Sequence, residues 1–486
     1  MGHKHTLTEM SIEHNSYTLN EAISLHRQAL ELQPALHPDR STSLSNLASA
    51  LLIRFEKEGQ RHDLDDAIFF HRQALELQSS PHLDLSMFLN NLASALSIPF
   101  EQEDTKNFAL PYRYQGKWKR KKPLEVMIVE KMKHVLGENH PDMLRSMTNL
   151  ASIYKYQGKW KEAEALEIVV MLKRKYLLGE EHPDTLVSMA NLAATYSDQG
   201  LLKEAEALEV MVMEKRKYML GEGHPDTLVS MANLAATYSD QGQLKKAEAL
   251  QVMVMEKRKH LLGEEHSHTL ASMANLAVIY SDQGRLKEAE ALQVVVMEKR
   301  KHLLGEEHPH TLASMANLAI IYSDQGQLKE AEALQVAVME KRKHLLGEGH
   351  PHTLANMANL AATYSDLGQL KEAEALEVVV MEKRKHLLGE EHPDTLVSMA
   401  NLAATYSDLG QLKEAEALEV VVMAKIKNLL GEEHPDTLAS MANLAIIYRN
   451  QGKWKEAEVL EVVVMEKRKY LLGEGHSDAL GLKATV

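Results

Sequence analysis

The chain has 486 residues, of which 44% are hydrophobic and 26% are charged, a composition that is ordinary for a folded protein. Its formal net charge of −14 disfavours nucleic acids and anionic membrane surfaces as partners, because both attract a positively charged protein face. The absence of cysteine excludes disulfides and thiolate metal sites and favours a cytoplasmic protein, and no apolar stretch reaches the roughly 18 residues of a membrane span.

The N-terminal part contains two related helical patterns. After a tail at 1–18, the segment LNEAISLHRQALELQ from Leu19 returns as LDDAIFFHRQALELQ from Leu64, which is 45 residues later. Residues 19–99 are therefore predicted to form divergent helical hairpins on this longer period.

The next segment interrupts the pattern. Arg120-Lys121-Lys122-Pro123 stands where the later repeats have a sequence such as Glu162-Ala163-Glu164-Ala165. A proline inside a helix costs roughly 3 kcal/mol, and a lysine here replaces a small alanine of the predicted core. Residues 100–139 are therefore predicted to be an irregular junction or a degenerate repeat.

One block dominates residues 140–472 and recurs with constant spacing. Its marker glycines, such as Gly179 and Gly221, follow one another at intervals of 42 residues without insertion or deletion. Fixed self-similarity at such a period is typical of a solenoid, in which one helical unit stacks on its own copies. Eight full units are predicted, and residues 473–486 begin a ninth, partial repeat.

Each unit reads as two helices. His182-Pro183 favours a helix start, and Gln199-Gly200 ends this first helix, here called helix A. The second, helix B, is predicted from about Leu202 to Leu220, with Glu209 facing water. Two antiparallel helices that bury their apolar faces only by stacking predict an all-α solenoid.

The unit resembles the tetratricopeptide repeat in the 42-residue form of kinesin light chains, and still more the arrays of NB-ARC-type ATPase receptors and nephrocystin-like proteins. The residues that carry the resemblance are HPDTL at the start of helix A, Asn191-Leu192-Ala193 with Tyr196, the turn glycine Gly200, and Lys203-Glu204-Ala205-Glu206. The resemblance implies a right-handed superhelix whose helices A line a concave groove. That groove would bind an extended peptide or a partner helix, as in a non-catalytic scaffold.

Two departures limit what the resemblance implies. No sustained heptads precede the repeats, unlike in kinesin light chains, and no phosphate-binding loop ending in Lys-Ser/Thr occurs, unlike in the receptors. A recognition array related to NB-ARC receptors and a kinesin light chain-like cargo adaptor stay open as alternatives. No nucleophile–base pair, metal set or phosphate loop is present in the sequence, so we expect neither an enzyme nor a cofactor.

A ladder of asparagines occupies one position of helix A. Its members are Asn149, Asn191, Asn233, Asn275, Asn317, Asn359, Asn401 and Asn443. An amide carries both donors and an acceptor, so a row of amides could hold the backbone of an extended peptide, as the resemblance implies. The alternative is that each asparagine bonds the neighbouring helix and keeps the stack in register.

Acidic residues follow the ladder at the end of helix A. They are Asp198, Asp240, Asp282, Asp324, Asp366 and Asp408, and no helix A between 182 and 410 contains lysine or arginine. We expect such a groove to favour neutral or basic peptides. The alternative is that these aspartates are only solvated helix-end residues.

Helix B and the loops raise three further questions. The run Glu214-Lys215-Arg216-Lys217 recurs and is predicted to be a salt-bridged, solvated face rather than a nucleic-acid site. Val378-Val379-Val380-Met381 is apolar around the whole helix, which burial between repeats explains, although an outer row that promotes self-association stays open. Paired loop histidines such as His308-Pro309-His310 are interpreted as helix-start residues rather than metal ligands.

Overall fold

The computed structural model describes residues 19–34, 37, 39–58, 61–77, 126–134 and 136–472. Contacts divide the chain into two compact units, one of Met1–Asp104 with Lys117–Ile153 and one of Thr105–Gly116 with Tyr154–Val486. The predictions for 1–18, 78–125 and 473–486 lie outside the described residues.

The first unit is helical in its described residues. Helices occupy residues 19–32, Arg40–Glu58, Arg61–Leu77 and 126–134. Arg40–Glu58 packs against Arg61–Leu77, and the pair buries side chains such as Leu47, Leu51 and Ala67 completely. Each is an amphipathic helix, and the division of 19–99 into hairpins on a 45-residue period stays a prediction.

Eight hairpins of nearly identical length follow, and they are numbered here as repeats 1 to 8. Helix A spans Pro141–Tyr156, Pro183–Asp198, Pro225–Asp240, Ser267–Asp282, Pro309–Asp324, Pro351–Asp366, Pro393–Asp408 and Pro435–Asn450. Helix B spans Trp160–Leu178, Leu202–Leu220, Leu244–Leu262, Leu286–Leu304, Leu328–Leu346, Leu370–Leu388, Leu412–Leu430 and Trp454–Leu472. The all-α solenoid predicted from the 42-residue period is confirmed.

The ends of the helices follow from local chemistry. His182 caps helix A, because its Nδ1 accepts a hydrogen bond from the backbone N–H of Asp184 at 3.2 Å while Pro183 occupies the first turn. Helix B ends at Gly221, whose φ of 87° is readily adopted only by glycine. The loop histidine is therefore a helix-start residue, as predicted.

The core lies between successive hairpins. Leu186 and Met189 of helix A pack with Val212 of helix B, and Met171 of the preceding repeat covers them. Ala193 and Ala205 are fully buried, which lets the helices approach closely. Each buried aliphatic side chain of this size contributes roughly 1.5–3 kcal/mol, and the contribution recurs in every repeat.

The prediction that Glu209 faces water is wrong. Its side chain is buried, and Thr237 Oγ1 of the next repeat donates a hydrogen bond to Glu209 Oε2 at 2.6 Å. The residue is on the polar side of an isolated hairpin, but the following helix A covers that side in the stack. Burial in a solenoid therefore depends on the neighbouring repeat as much as on the hairpin itself.

Contacts between neighbouring helices A favour the inner side of the stack for helix A in the second unit. Helix A of repeats 4, 5 and 7 contacts helix A of the next repeat, and no pair of neighbouring helices B in the described chain contacts to the same extent. Elements on the inner side of a curved stack approach each other most closely. None of the described helices is long and apolar enough to cross a membrane.

Candidate functional site

One face of helix A remains accessible after the repeats have stacked. In repeat 2 it consists of Val187, Asn191, Ala194 and Asp198, whose spacing places them on one side of the helix. Val187 is 41% exposed and Asp198 is exposed, while Asn191 and Ala194 are half-buried. We call these four positions and their equivalents in the other repeats the inner stripe.

The asparagine ladder lies on the inner stripe in the second unit, and Asn149 lies in the first unit. Asn149 and the ladder residues from Asn191 to Asn359 are half-buried, and Asn401 and Asn443 are exposed. Within the described residues, no side-chain hydrogen bond is formed by Asn191, Asn233, Asn317, Asn359, Asn401 or Asn443. These six amides therefore keep their donors and acceptors available.

A glutamine that the sequence analysis did not identify bonds the neighbouring repeat instead. Gln241 Nε2 donates to Leu202 O and to Glu206 Oε2 of the preceding helix B, both at 2.9 Å. The equivalent contacts are made by Gln199, Gln283, Gln325 and Gln451. Glutamine thus forms a bond between repeats at these turns, and Leu367 and Leu409 replace it in repeats 6 and 7. Its recurrence in the turn between helices A and B was the only signal in the sequence.

The aspartates of the inner stripe contact the preceding repeat. Ser239 Oγ donates to Asp282 Oδ2 at 3.2 Å, and Ser281 Oγ donates to Asp324 Oδ2 at 3.1 Å. Ser197 Oγ donates in the same way to Asp240 Oδ2 at 3.4 Å. The hydroxyls hold these carboxylates along the inner side without neutralising them.

Charge along this row is uneven. Lys155 Nζ lies 3.3 Å from Asp198 Oδ2, so the first aspartate has a cationic partner. Burial raises the pKa of Asp282 and the charge of Asp324 adds to the rise, while the hydrogen bond from Ser239 opposes it. A cationic side chain placed between these two aspartates would relieve their repulsion.

The apolar members of the inner stripe change along the array. Repeats 2, 3 and 7 expose a valine near the start of helix A, namely Val187, Val229 and Val397. Repeats 5 and 8 instead expose an isoleucine two helical turns further on, Ile320 and Ile446. Repeat 6 has alanine at both positions. The stripe therefore offers different apolar surfaces on a constant backbone.

A cavity of about 760 Å³ lies at the turns of repeats 3 and 4 and is lined by residues that include Lys246, Asp282 and Arg285. Lys246 Nζ lies 4.9 Å from the centre of the Tyr238 ring, and Arg285 lies 4.1 Å from that of Tyr280. Arg285 also pairs with Glu248 and Glu288. The acidic partners compensate the arginine, and Lys453 of repeat 8 makes a similar contact with Tyr448 and pairs with Glu416.

The basic run of helix B divides into two kinds of contact. Lys217 Nζ lies 2.6 Å from Glu222 Oε1, which agrees with a salt-bridged surface. Arg216 is buried, contrary to the expectation for the run as a whole, and its Nη1 donates to Ser230 Oγ at 2.9 Å and to Asp226 O at 3.2 Å. The run therefore joins helix B to the following helix A.

The structure also shows the surroundings of the paired loop histidines and of the apolar run of helix B. His308 Nδ1 accepts from the backbone of His310, and the two rings are 5.2 Å apart between centres. The described part of the chain contains no group of three or more side chains that could hold a metal ion. Val380 is buried and its apolar neighbours Val379 and Met381 are half-buried, so burial accounts for most of this run.

Comparison with known sequences gives one family. The tetratricopeptide repeat pattern matches in eight consecutive segments: 143–184, 185–226, 227–268, 269–310, 311–352, 353–394, 395–436 and 437–478. No curated protein matches the chain.

Solved structures similar to the chain include nearly identical TPR-like repeats of a putative kinesin light chain from Podosopora anserina. That structure is 34% identical, with 42% of this chain and 97% of that chain covered and a TM-score of 0.38. BtubC (BKLC) from P. vanneervenii is 20% identical over 47% of this chain and 92% of that chain, with a TM-score of 0.40. The apo quorum sensor NprR from B. thuringiensis is 14% identical over 77% and 99%, with a TM-score of 0.47.

Proposed function

Because the chain belongs to the tetratricopeptide repeat family, whose members typically serve as scaffolds for protein interactions, we propose that its inner stripe binds an extended peptide. The observation that carries the proposal is a row of six asparagine amides that have no hydrogen-bond partner in the described residues. They are Asn191, Asn233, Asn317, Asn359, Asn401 and Asn443. A peptide backbone needs a donor and an acceptor at regular intervals, and one amide in each repeat offers both.

The charge of the stripe favours a neutral or basic ligand. Asp240, Asp282 and Asp324 stand one repeat apart, and each accepts a hydrogen bond from a serine hydroxyl, which leaves the negative charge in place. No lysine or arginine belongs to helices A of repeats 2 to 7. Lysine or arginine side chains of a peptide would therefore find complementary charge, whereas acidic segments would be repelled.

The scaffold is proposed to be non-catalytic and to act in the cytoplasm. A cargo adaptor of the kinesin light chain type is the second candidate, favoured by the 42-residue repeat length that the resemblance associates with those proteins. Affinity capture of a motor heavy chain would support the adaptor, whereas capture of an NB-ARC ATPase would support a receptor-associated array.

The test uses titration calorimetry with a capped peptide of alternating lysine and valine. Replacing Asn233, Asn317 and Asn359 together with alanine should weaken binding of the peptide roughly a hundredfold. Each replacement removes the hydrogen bonding between one asparagine amide and the peptide backbone, which contributes about 1 kcal/mol. The urea unfolding midpoint should not change. The matched control replaces Gln241, Gln283 and Gln325 with alanine, which should lower the midpoint and leave the affinity unchanged.

Either of two results would contradict the proposal. The wild-type chain could fail to bind the lysine–valine peptide, or the triple asparagine variant could bind it as tightly as the wild type. A variant that unfolds early instead would show that the asparagines support the stack.

A further inference from the structure

Repeats that are far apart in sequence touch each other within the second unit. His392 Nε2 donates a hydrogen bond to the backbone carbonyl of Tyr156 at 2.9 Å, although 236 residues separate them. His392 Nδ1 accepts from Asp394 N–H, so the ring proton is on Nε2, where this contact requires it. The turn of repeat 1 therefore rests on the start of helix A in repeat 7.

The same contact recurs one repeat later. A Cβ added at Gly158 would lie 2.5 Å from Pro393 Cδ, and one added at Gly200 would lie 2.9 Å from His434 Nε2. By contrast, the turn glycines Gly284 and Gly326 have nothing within 4 Å of such an atom. Two turns in succession thus meet a helix start further along the chain.

Burial of the helix starts agrees with this contact. The side chains of His392 and His434 are 10% and 8% exposed, whereas those of His182 and His224 are 40% and 39% exposed. The four residues occupy equivalent positions, so the difference comes from what covers them. We call the contact of Tyr156, Gly158 and Gly200 with His392, Pro393 and His434 the inter-turn contact.

The inter-turn contact fixes the size of one superhelical turn in this unit. A separation of 236 residues at 42 residues per repeat corresponds to about 5.6 repeats. Packed helices stand on the order of 10 Å apart, so the helices A of one turn form a ring roughly 56 Å around, with a radius of roughly 9 Å at their axes. A helix with its side chains occupies roughly 5–6 Å of that radius.

We infer that the inner stripe faces a closed passage roughly 7 Å across, which accepts an extended peptide segment and excludes a partner helix. An extended chain has a width of about 4.8 Å in its hydrogen-bonding direction, whereas a helix measures about 10–12 Å across. This inference rests on the proposed function and selects between the two ligands that the groove of such repeats could bind. The aspartates of the stripe make the occupant a neutral or basic segment.

Closure also determines how the segment enters. A segment with a free end can pass along the passage, whereas a segment held between two folded domains requires the inter-turn contact to open. Asn191, Asn233, Asn317 and Asn359 would then meet the peptide only after its end has been threaded or the turn has separated.

The first test measures closure without any ligand. Because the chain has no cysteine, spin labels can be attached to cysteines introduced at the exposed residues Lys161 and Glu391, which flank the contact. We expect a single short distance in the wild type. Gly158→Ala with Gly200→Ala should abolish it, because each added methyl group collides with the opposite turn.

The matched control is Gly284→Ala with Gly326→Ala. These glycines have φ of 73° and 76°, close to the 67° and 72° of Gly158 and Gly200, so the backbone strain is the same and only the collision is missing. The control should keep the short distance. A long distance in the wild type, or its loss in the control alone, would overturn the closed passage while leaving the peptide groove intact.

The second test addresses the partner. The wild type and the control should bind the capped lysine–valine peptide at least about tenfold more tightly than a stapled helical peptide of equal charge. A lysine–valine segment fused to a folded domain at each end should associate at least about tenfold more slowly than the free peptide. The Gly158→Ala, Gly200→Ala variant should remove both differences.

Each outcome separates the two proposals. Equal affinity for the helical and the extended peptide in the wild type, or equal association rates for the free and the blocked segment, would overturn the closed passage. Failure of the wild type to bind any of the peptides would overturn the proposed function, and the label distances would still decide whether the turn is closed.

Discussion

Thr195 Oγ1 donates a hydrogen bond to Glu167 Oε2 at 2.6 Å, across the interface between repeats 1 and 2. Thr237 and Glu209 form the same pair one repeat later. Where isoleucine replaces the threonine, as at Ile321, the acid is replaced by Gln293, whose Nε2 donates to Ser314 O at 2.9 Å. In most repeats this buried position therefore has an acid opposite a hydroxyl or an amide opposite an aliphatic side chain, and Gln335 opposite Thr363 is one exception.

Glu419 breaks this rule, and a prediction follows from it. Ile447 takes the place of the threonine, so Glu419 Oε2 has no hydrogen-bond partner among the described residues. Ser440 donates a hydrogen bond to the other carboxylate oxygen, Oε1. Burial nevertheless raises the pKa of Glu419 to about 7. A raised folded-state pKa means that the stabilisation is complete below the unfolded value of 4.5 and is lost as pH rises through 7. Glu419→Gln recreates the Gln293 arrangement and should stabilise the array by about 1–3 kcal/mol at pH 8.

Urea unfolding of the wild type and of Glu419→Gln at pH 5 and pH 8 measures the effect. The gain should be larger at pH 8 than at pH 5. Glu209→Gln serves as the control, because Thr237 already satisfies that carboxylate and no such gain is expected. An equal effect of Glu419→Gln at both pH values would show that the carboxyl does not titrate in this range.

The adjacent residues Arg216 and Lys217 should differ in their contribution to stability. Arg216→Ala removes a buried guanidinium that bonds Ser230 and the backbone of Asp226, so we expect a loss of about 1–3 kcal/mol. Lys217→Ala removes an exposed ion pair with Glu222 and should leave the unfolding midpoint unchanged. Thermal unfolding of both variants checks this, and equal losses would contradict the division of the basic run.

The sequence predicts the fold much better than the contacts between repeats. Helix A of repeat 2 begins at Pro183 and helix B spans Leu202–Leu220, as the proline, the glycine and the apolar spacing predict. Glu209 was misassigned because its environment belongs to the next repeat. The inter-turn contact depends on the rotation between successive repeats, which accumulates over several units and leaves no pattern in any one of them.

The sequence predicts which positions of helix A carry the candidate site, but it does not predict the hydrogen bonds of those side chains. The recurrence of asparagine and aspartate on helix A predicts a row of each, but it does not decide whether the amides bond neighbouring helices. In the structure Gln241 bonds the preceding repeat, whereas Asn233 forms no side-chain hydrogen bond among the described residues. The polar side chains of one helix can exchange such functions without changing the period of the sequence.

The histidine caps should make the array sensitive to acid. Burial and the charge of Arg300 lower the pKa of His308, whose neutral Nδ1 accepts the cap hydrogen bond. A lowered folded-state pKa means that the stabilisation is present above 6.5 and is lost as pH falls through the folded value. His308→Asn keeps a capping side chain that does not titrate, so unfolding of this variant should depend less on pH between 7 and 5. An unchanged pH dependence would contradict the capping function of the ring.

The aspartates should contribute to binding through charge. Replacing Asp240, Asp282 and Asp324 with asparagine should weaken binding of the lysine–valine peptide roughly tenfold and reduce its dependence on salt, at about 0.5 kcal/mol for each exposed charge pair. The control replaces Glu256, Glu298 and Glu340, which are exposed on helix B, with glutamine. It removes the same net charge and should leave the affinity nearly unchanged. Equal losses in the two variants would show that only net charge matters.

The most direct measurement of the central claim is NMR of the asparagine side-chain amides in selectively ¹⁵N-labelled protein during titration with the lysine–valine peptide. Asn356 is an internal reference, because it is buried and its Nδ2 donates to Gln335 O at 3.0 Å. The proposed groove predicts that the signals of Asn233, Asn317 and Asn359 shift on binding while that of Asn356 does not. Binding that leaves the ladder signals unmoved would show that the peptide is held elsewhere on the protein.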